Sequence, residues 1–456
     1  MKKLILMILT ISCFKSFKNL GIKSKNINKD LVLAIKNNDM TKVVKLINKG
    51  ANVNYVYDDK SVLDLALSRS FNIIRFLIEK GAEISNENAI ELYNFALNNF
   101  NSHNIIDLIK DKYKLKENMV GKNKYFLYLC YTSNAKEVER YIEENNINPI
   151  EIKDESNRNA LIIASLGYNI DIVKMLIEKY GFEVNYKDAK GINALIAASA
   201  RGSKDITEYL LERKANINDK THEGSTALIL ASQEGNRDIV KLLSEKGADV
   251  NCKKEDNWTA LMLASHDGNE DIAKLLIERG ADINNRNNDH WTPLMVASQN
   301  GHIEIIKMLI NAGANVNDKS NEHLTSLMLA SRDGYIEVAK VLIDNGANIN
   351  DKEIDGWTAL MFSSQNGYTE VAKVLIDNEA NINDENNEGW TALILTSENG
   401  NIEIVKLLLE KETNVDHKNS RGNTALMLAA RNGHIESVKI LIEREVLMLM
   451  MKIIMG

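Results

Sequence analysis

The stretch Thr226-Ala-Leu-Ile-Leu-Ala-Ser-Gln-Glu-Gly-Asn-Arg-Asp-Ile-Val-Lys-Leu-Leu-Ser-Glu-Lys-Gly-Ala-Asp-Val-Asn251 is the unit from which most of this chain is built. Its opening threonine recurs at a constant spacing of 33 residues, and Asn193 and Asn159 open two earlier copies. So strict a period predicts stacked copies of one supersecondary unit, each too small to bury its own apolar face. The opening threonines are Thr226, Thr259, Thr292, Thr325, Thr358, Thr391 and Thr424.

Each unit has the pattern of two short helices followed by an extended segment, which we call the finger. Thr226 is expected to cap the first helix and Gly235 to end it, because glycine adopts the left-handed conformation of a helix end at little cost. Asn236 is expected to cap a second helix that carries an apolar stripe and closes at Gly247. Residues 248–258 have turn chemistry and no helical period, which predicts the finger.

The residues that carry this pattern resemble the ankyrin repeat. Thr292-Pro293-Leu294 matches the opening phrase of that family, and Gly280-Ala281-Asp282-Ile283-Asn284 matches its helix-exit phrase. The resemblance implies an all-α repeat solenoid, an ankyrin-type stack of helix-turn-helix units joined by β-hairpin-like fingers. It also implies a non-enzymatic protein that binds partners through a concave surface made of fingers and first helices.

One departure from the family pattern affects the packed layer. The histidine that usually follows the opening leucine is replaced here by apolar residues, and we expect these to pack in the core instead. They are Ile229, Met262, Met295 and Met328.

The period divides the chain into four segments. Residues 1–20 are a signal-like apolar N-terminus, residues 28–158 hold divergent ankyrin-like repeats, residues 159–443 hold regular repeats, and residues 444–456 form an apolar C-terminal tail. With the weak copies counted, among them Leu92 to Ile109, the chain is expected to contain about thirteen repeats. Terminal units face water on one side, so atypical sequence is expected there.

The last repeats depart from the pattern at the helix exit. Glu379, Glu412 and Glu445 occupy positions where glycine stands elsewhere, and a Cβ in a left-handed exit costs about 1 kcal/mol. Ser363 and Thr396 replace the buried alanine, which adds a cost unless their hydroxyls are bonded. We therefore expect the three C-terminal repeats to open first. For the apolar tail two alternatives remain, a helix that covers the open end of the stack or a segment that is disordered or binds a partner.

Composition and motifs argue against several functional classes. The net charge of −7 and the absence of a block of lysine and arginine give no support for nucleic-acid binding. No metalloprotease, Cys-x-x-Cys or phosphate-loop motif occurs, so we predict no enzymatic activity, no small-molecule substrate, no cofactor and no metal site. His290 and His323 share one fingertip position beside acidic residues, but an open fingertip lacks the closed geometry that a metal requires.

The N-terminus has the pattern of an export signal. Lys2 and Lys3 precede a short apolar run from Leu4 to Ile11, which is too short to span a bilayer. We expect an exported protein (periplasmic, surface or secreted), with a lipid anchor at Cys13 as a variant and no other membrane association. The alternative is a cytoplasmic scaffold or regulator of a multiprotein assembly that keeps its N-terminus.

The two other cysteines are predicted to be free thiols. Cys130 and Cys252 lie several repeats apart, and neighbouring helices are about 8–10 Å from one another. That separation exceeds the roughly 7 Å between Cα atoms that a disulfide allows.

All four tryptophans occupy the fingertip, directly before an opening threonine. A period of repeats aligns them along one edge, interrupted at Leu324 and extended at Ile192. Two alternatives remain. Each ring could pack on the neighbouring finger and brace the stack, or the row could anchor a protein partner, as tryptophan commonly does at interfaces. The four residues are Trp258, Trp291, Trp357 and Trp390.

Polar residues near the end of each first helix vary from repeat to repeat. By the resemblance they face the same surface as the fingertips, while the lysine-rich second helices face solvent on the other side. This surface is polar and mildly acidic, which favours a protein or peptide partner with some basic character. The candidate contact residues on the first helices are Gln233, His266, Gln299, Arg332 and Gln365.

Overall fold

The computed structural model describes residues 27–67, 70–83 and 121–455. The signal-like segment, Cys13 and the copy expected between Leu92 and Ile109 lie outside the described residues. The chain separates into two compact units, residues 1–132 and 133–456. This division lies upstream of the boundary expected at residue 159.

The described part of the first unit contains two helix pairs and one further helix. The finger between the pairs is a small antiparallel hairpin in which Val56–Tyr57 pairs with Lys60–Ser61. Leu31, Ile35 and Ile74 are fully buried in the packed face of these helices. The helices are Ile27–Lys36 with Met40–Asn48, Val62–Leu67 with Phe71–Glu79, and Lys122–Thr132.

The second unit is a stack of helix pairs. After helix Ala135–Asn145, its described residues contain nine pairs in chain order. Each first helix contacts the first helix of the next repeat, and the second helices form a parallel row of their own. The pairs are Ala160–Leu166 and Ile170–Glu178, Ala194–Arg201 and Lys204–Glu212, Ala227–Gln233 and Arg237–Glu245, Ala260–Asp267 and Glu270–Glu278, Pro293–Asn300 and Ile303–Asn311, Ser326–Asp333 and Ile336–Asp344, Ala359–Asn366 and Thr369–Asp377, Ala392–Asn399 and Ile402–Leu409, and Ala425–Arg431 and Ile435–Met455.

The opening residue caps each first helix as predicted. The Oγ1 atom of Thr226 accepts a hydrogen bond from the backbone N–H of Ile229 at 3.3 Å, and every later opening threonine makes the same contact. The residues that replace the family's histidine are packed, since Ile229, Met262 and Met295 have no exposed surface and Met328 is 1 % exposed. The first helices of these repeats are therefore mostly buried, whereas in the last repeat the corresponding Met427 is 53 % exposed.

The capping bond expected of Asn236 is not formed, although Asn169 does cap its second helix by accepting from the N–H of Ile172 at 3.2 Å. Asn236 occupies the N-cap position but makes no side-chain capping bond. Its Nδ2 atom instead donates to the carbonyl oxygens of Ser199 and Ala200 in the preceding repeat, at 3.1 and 2.8 Å. The Nε2 atom of His302 makes the corresponding contact with the carbonyl oxygen of His266, at 2.9 Å. These side chains tie repeats together because the preceding first helix ends beside them.

The expectation about the helix exits holds at one of three positions. Glu379 adopts a left-handed conformation with φ 67°, whereas Glu412 has no positive φ and Glu445 lies inside the last helix. The hydroxyls in the packed layer are bonded, from Ser363 to the carbonyl of Leu360 at 3.0 Å and from Thr396 to that of Leu393 at 3.1 Å. The free-energy cost predicted for the last three repeats is therefore smaller than the sequence suggested.

The apolar tail belongs to a helix. Helix Ile435–Met455 continues through residue 444. The boundary expected between residues 443 and 444 therefore does not coincide with the end of a helix. Several of its apolar side chains are about half exposed, among them Ile442, Val446 and Met450. Over the residues that the structure describes, no helix is long and apolar enough to cross a membrane.

Both described cysteines are free, as predicted, and both are buried. Burial raises the pKa of the Cys130 thiol far above its usual range. Burial also raises the pKa of Cys252, and the Asp249 carboxylate beside it acts in the same direction. Neither thiol is therefore suited to nucleophilic chemistry.

Candidate functional site

Most fingertips of the second unit are held by one polar side chain that precedes the tip residue by four positions, whereas at Trp258 the preceding Lys254 makes only a backbone bond. Asn386 is buried, and its Oδ1 atom accepts hydrogen bonds from the backbone N–H of Glu388 at 3.0 Å and of Trp390 at 2.9 Å. A backbone bond from Asn386 to the Trp390 carbonyl closes the turn at 3.0 Å. The side chains that accept from fingertips in this way are Asp154, Asp188, Thr221, Asn287, Ser320, Glu353, Asn386 and Asn419.

Consecutive fingers are joined through their backbones. The N–H of Asn387 donates to the carbonyl of Asp355 in the preceding finger at 2.9 Å. One bond of this kind recurs at every junction from residue 156 to residue 420, so neighbouring tips lie side by side at fixed separation. The donors and acceptors are Ala189 to Ser156, His222 to Lys190, Glu255 to Glu223, Asn288 to Asp256, Asn321 to Asp289, Ile354 to Glu322, Asn387 to Asp355, and Ser420 to Glu388.

A second ladder joins the bases of the fingers. The Oδ1 atom of Asn350 accepts from the N–H of Asn381 at 2.7 Å, and its Nδ2 atom reaches the carbonyl of Glu379 at 3.4 Å. The asparagine that ends each helix-exit phrase makes the same contact to the following repeat. These asparagines are Asn185, Asn218, Asn251, Asn284, Asn317, Asn350 and Asn383.

The four tryptophans at the fingertips are half-buried. Trp357 stacks on Phe362 of its own first helix, with ring centroids 5.3 Å apart and an angle of 26° between the planes. Trp258 meets His266 edge to face at 6.2 Å, and the indole N–H of Trp390 donates to Glu388 at 3.2 Å. These contacts lie within one repeat, and they leave part of each ring open to solvent.

The predicted first-helix residues lie at the surface. Gln233, His266 and Gln365 are exposed, and Gln299 and Arg332 are half-buried. His266 and Arg332 each contact the acidic residue that follows them, at 2.6 and 3.3 Å respectively. All five lie at or next to the ends of first helices, in different repeats.

The structure brings three of the predicted residues together in one groove. Trp357, Gln365 and Trp390 line an open cavity of about 340 Å³ between two consecutive fingers. Leu395 forms part of its floor, and Asn386 and Asn387 contribute amide groups. The other predicted residues lie in other repeats, and Trp258 and Trp291 form a second pair of consecutive fingertips.

Sequence reasoning missed the acidic residues on the two fingers of this groove, whereas Glu398 belongs to the varying first-helix ends that it placed at this surface. Asp355 and Glu388 lie on the two fingers, and Glu398 lies on the first helix below them. Their period of 33 residues could have revealed them, since Asp355 and Glu388 occupy the same position in consecutive repeats. Asn386 was missed as well, although an acceptor side chain four residues before most fingertips is visible in the sequence.

Charge at the first-helix ends also influences one carboxyl group. Burial raises the pKa of Glu234, and the nearby carboxylate of Asp267 raises it further, while Arg201 opposes both effects. Glu234 follows the predicted contact residue Gln233, so this part of the surface holds a carboxyl group that resists ionisation.

Comparison with protein families gives a direct match. The family model described as ankyrin repeats (3 copies) matches residues 167–254, 246–320, 313–386 and 378–448, which together cover more than half of the chain. The chain belongs to the ankyrin-repeat family. A comparison with curated proteins found no match.

Membership of the ankyrin family supports part of what the sequence predicted. The stacked helix pairs fit an ankyrin-type solenoid, and ankyrin repeats suggest a module for protein–protein interaction. Ankyrin-repeat proteins are generally non-enzymatic binding scaffolds, and their partners are proteins. Within the described ranges, no cluster of three His, Cys, Asp or Glu side chains could hold a metal ion.

Proposed function

We propose that this ankyrin-repeat protein binds a protein or peptide partner through its finger surface, which comprises the fingertips and the ends of the first helices. The observation that carries this proposal is the groove in which Trp357 and Trp390 flank Gln365. Two half-buried indoles beside polar side chains resemble the hot spots of protein interfaces, where tryptophan anchors are partly shielded from water.

The ladders of hydrogen bonds support the same proposal. Because backbone bonds fix each finger relative to the next, the tryptophans are held in place before a partner arrives. Binding to such a surface loses little conformational entropy, which favours affinity. A long row of repeats also offers an extended surface on a rigid scaffold.

We further propose that the protein is exported, on the basis of Lys2, Lys3 and the apolar run that follows them. Mass spectrometry of the N-terminus of the native protein tests this proposal. A start beyond the apolar run supports export. An intact N-terminus supports instead a cytoplasmic scaffold or regulator of a multiprotein assembly.

The binding proposal is tested by capture of the partner from the native source with the full chain as bait. The double variant Trp357→Leu/Trp390→Leu is expected to lose the captured protein while its circular dichroism spectrum stays unchanged. The matched control Lys241→Ala/Lys307→Ala alters the second helices and is expected to retain capture. Equal capture by the tryptophan variant would refute binding at this part of the finger surface.

A further inference from the structure

The groove between Trp357 and Trp390 combines aromatic side chains with three acidic residues. Asp355, Glu388 and Glu398 contribute three carboxylates, and no lysine or arginine lines the cavity. Within the part of the chain that the structure describes, the carboxylates of Asp355 and Glu398 make no hydrogen bond or ion pair. Two of the three acidic side chains are therefore available to a ligand.

The third carboxylate shows how a guanidinium group fits this region. Glu388 accepts a hydrogen bond from the indole of Trp390 and lies 3.9 Å from a guanidinium nitrogen of Arg421, in the next finger. Arg421 remains largely exposed and does not line the groove. The rim thus already places one arginine beside an acidic residue and leaves the interior open.

The chemistry of the groove selects one kind of side chain. A guanidinium is planar, stacks on indole faces, and forms two parallel hydrogen bonds with a carboxylate. An open cavity of about 340 Å³ accommodates a single long side chain but is too small for a helix or a strand of a partner. Neutral or acidic side chains would leave the carboxylates without a counter-charge in a partly dehydrated cleft.

We propose that this groove binds the arginine side chain of a basic segment in the partner protein, inserted between the rings of Trp357 and Trp390 and paired with Glu398 and Asp355. The assignment rests on the proposed function, because it names the chemistry of the partner at that surface. The assignment goes beyond the proposed function because it specifies arginine as the bound side chain and the repeats of Trp357 and Trp390 as its site.

The chain contains an internal comparison for this site. The first pair of tryptophans, Trp258 and Trp291, has Gln299 at the position of Glu398 and His266 at the position of Gln365. Asp256, which corresponds to Asp355, accepts a hydrogen bond from Asn288 at 3.4 Å. The first pair keeps Asp256 and Asp289 but has no carboxylate at the position of Glu398, so Glu398 is the residue that distinguishes the groove at residues 355–398 from the first pair.

The test uses the full chain and a short peptide with capped ends that carries one arginine between glycines. Isothermal titration calorimetry compares it with the same peptide carrying lysine or citrulline, which is a neutral analogue of arginine. The arginine peptide is expected to bind about tenfold more tightly than the citrulline peptide, and high salt is expected to weaken its binding. Equal binding of the lysine peptide would overturn the assignment to arginine.

Matched variants locate the site. Glu398→Gln copies the residue at position 299 and is expected to weaken arginine binding about three- to fivefold, whereas Glu370→Gln on the second helix leaves it unchanged. Gln299→Glu is expected to create weak binding at the first pair, seen as a second site. Unaltered binding in Glu398→Gln would overturn the proposal.

Failure of this proposal is distinguishable from failure of the proposed function. If the full chain captures its protein partner and loses it in Trp357→Leu/Trp390→Leu, but no arginine peptide binds at millimolar concentration, the arginine site is refuted and the finger surface stands. If neither the partner nor the peptide depends on these tryptophans, both proposals fall.

Discussion

The Oδ1 atom of Asn317 accepts a hydrogen bond at 2.7 Å from the backbone N–H of Asn348, one repeat further along the chain. Its Nδ2 atom donates to the carbonyl of Gly346 at 3.0 Å. A single side chain thus satisfies two backbone groups at a helix exit of the next repeat. The stack is stabilised by such polar contacts in addition to its buried apolar layer.

Replacement of this asparagine is expected to weaken the stack. Asn317→Ala should lower the free energy of unfolding by about 1–2 kcal/mol, because it removes two bonds to backbone groups. Asn345→Ala removes only a bond within its own helix, to the carbonyl of Val341, and should cost less than about 0.5 kcal/mol. Urea denaturation measures both values. An equal loss for the two variants would contradict a role between repeats.

Glycine at the end of a first helix is expected to be required for two reasons. Gly334 has φ 81°, and a Cβ built on it would lie 2.6 Å from the ring of Tyr368 in the next repeat. Gly433 has φ 76° and nothing within 4 Å of such a Cβ. Gly433→Ala should therefore cost about 1 kcal/mol for the left-handed backbone alone, and Gly334→Ala about 2 kcal/mol or more.

A double-mutant cycle separates the two reasons. In a Tyr368→Ala background the cost of Gly334→Ala should fall to that of Gly433→Ala, because the ring is gone. Thermal unfolding provides the free energies. A cost that does not change in this background would show that Tyr368 imposes no steric constraint.

The two glutamates at helix exits are expected to respond in opposite ways to glycine. Glu379 is left-handed, so Glu379→Gly should stabilise the protein by about 1 kcal/mol. Glu412 is not left-handed, so Glu412→Gly should be neutral or destabilising, because glycine increases the entropy of the unfolded chain. Equal gains at both positions, measured by chemical denaturation, would contradict the observed backbone at Glu412.

The raised pKa of Glu234 predicts a dependence of stability on pH. Because the folded-state pKa lies above the unfolded-state value, ionisation of Glu234 opposes folding. The penalty is absent below the unfolded-state pKa and complete above the folded-state pKa. Glu234→Gln should therefore be more stable than the parent chain at neutral pH, with a difference that shrinks as the pH falls.

The control for this prediction changes an exposed carboxylate. Glu370 lies on the outer side of a second helix, and Glu370→Gln should leave stability unchanged across the same pH range. Denaturation curves at several pH values compare the three chains. A gain for Glu234→Gln that persists unchanged in acid would exclude ionisation as its cause.

The sequence predicted features that depend on a single repeat. The caps formed by the opening threonines and the burial of Met262 and Met295 follow from local spacing and apolar period, and the structure confirms them. The period also places consecutive tryptophans on neighbouring fingers, so the pairing of Trp357 with Trp390 was accessible in principle.

Features that depend on the distance between repeats were not accessible. Asn236 has a side chain typical of a local cap, but the preceding first helix ends within reach and its carbonyl oxygens accept the hydrogen bonds instead. The cavity depends on the separation of two fingers and on which side chains close it, so the grouping of three acidic residues around it emerged only from the structure. The backbone at Glu412 does not adopt the left-handed conformation that glycine has at the aligned positions, and the alignment of glycine positions alone could not show this.

Hydrogen exchange of the full chain, with and without its captured protein partner, tests the central claim most directly. If the finger surface binds the partner, amides in the two fingers and first helices that line the groove between Trp357 and Trp390 will gain protection. The outer second helices Thr369–Asp377 and Ile402–Leu409 will exchange as in the free protein. Protection confined to those second helices would contradict binding of the partner at the finger surface.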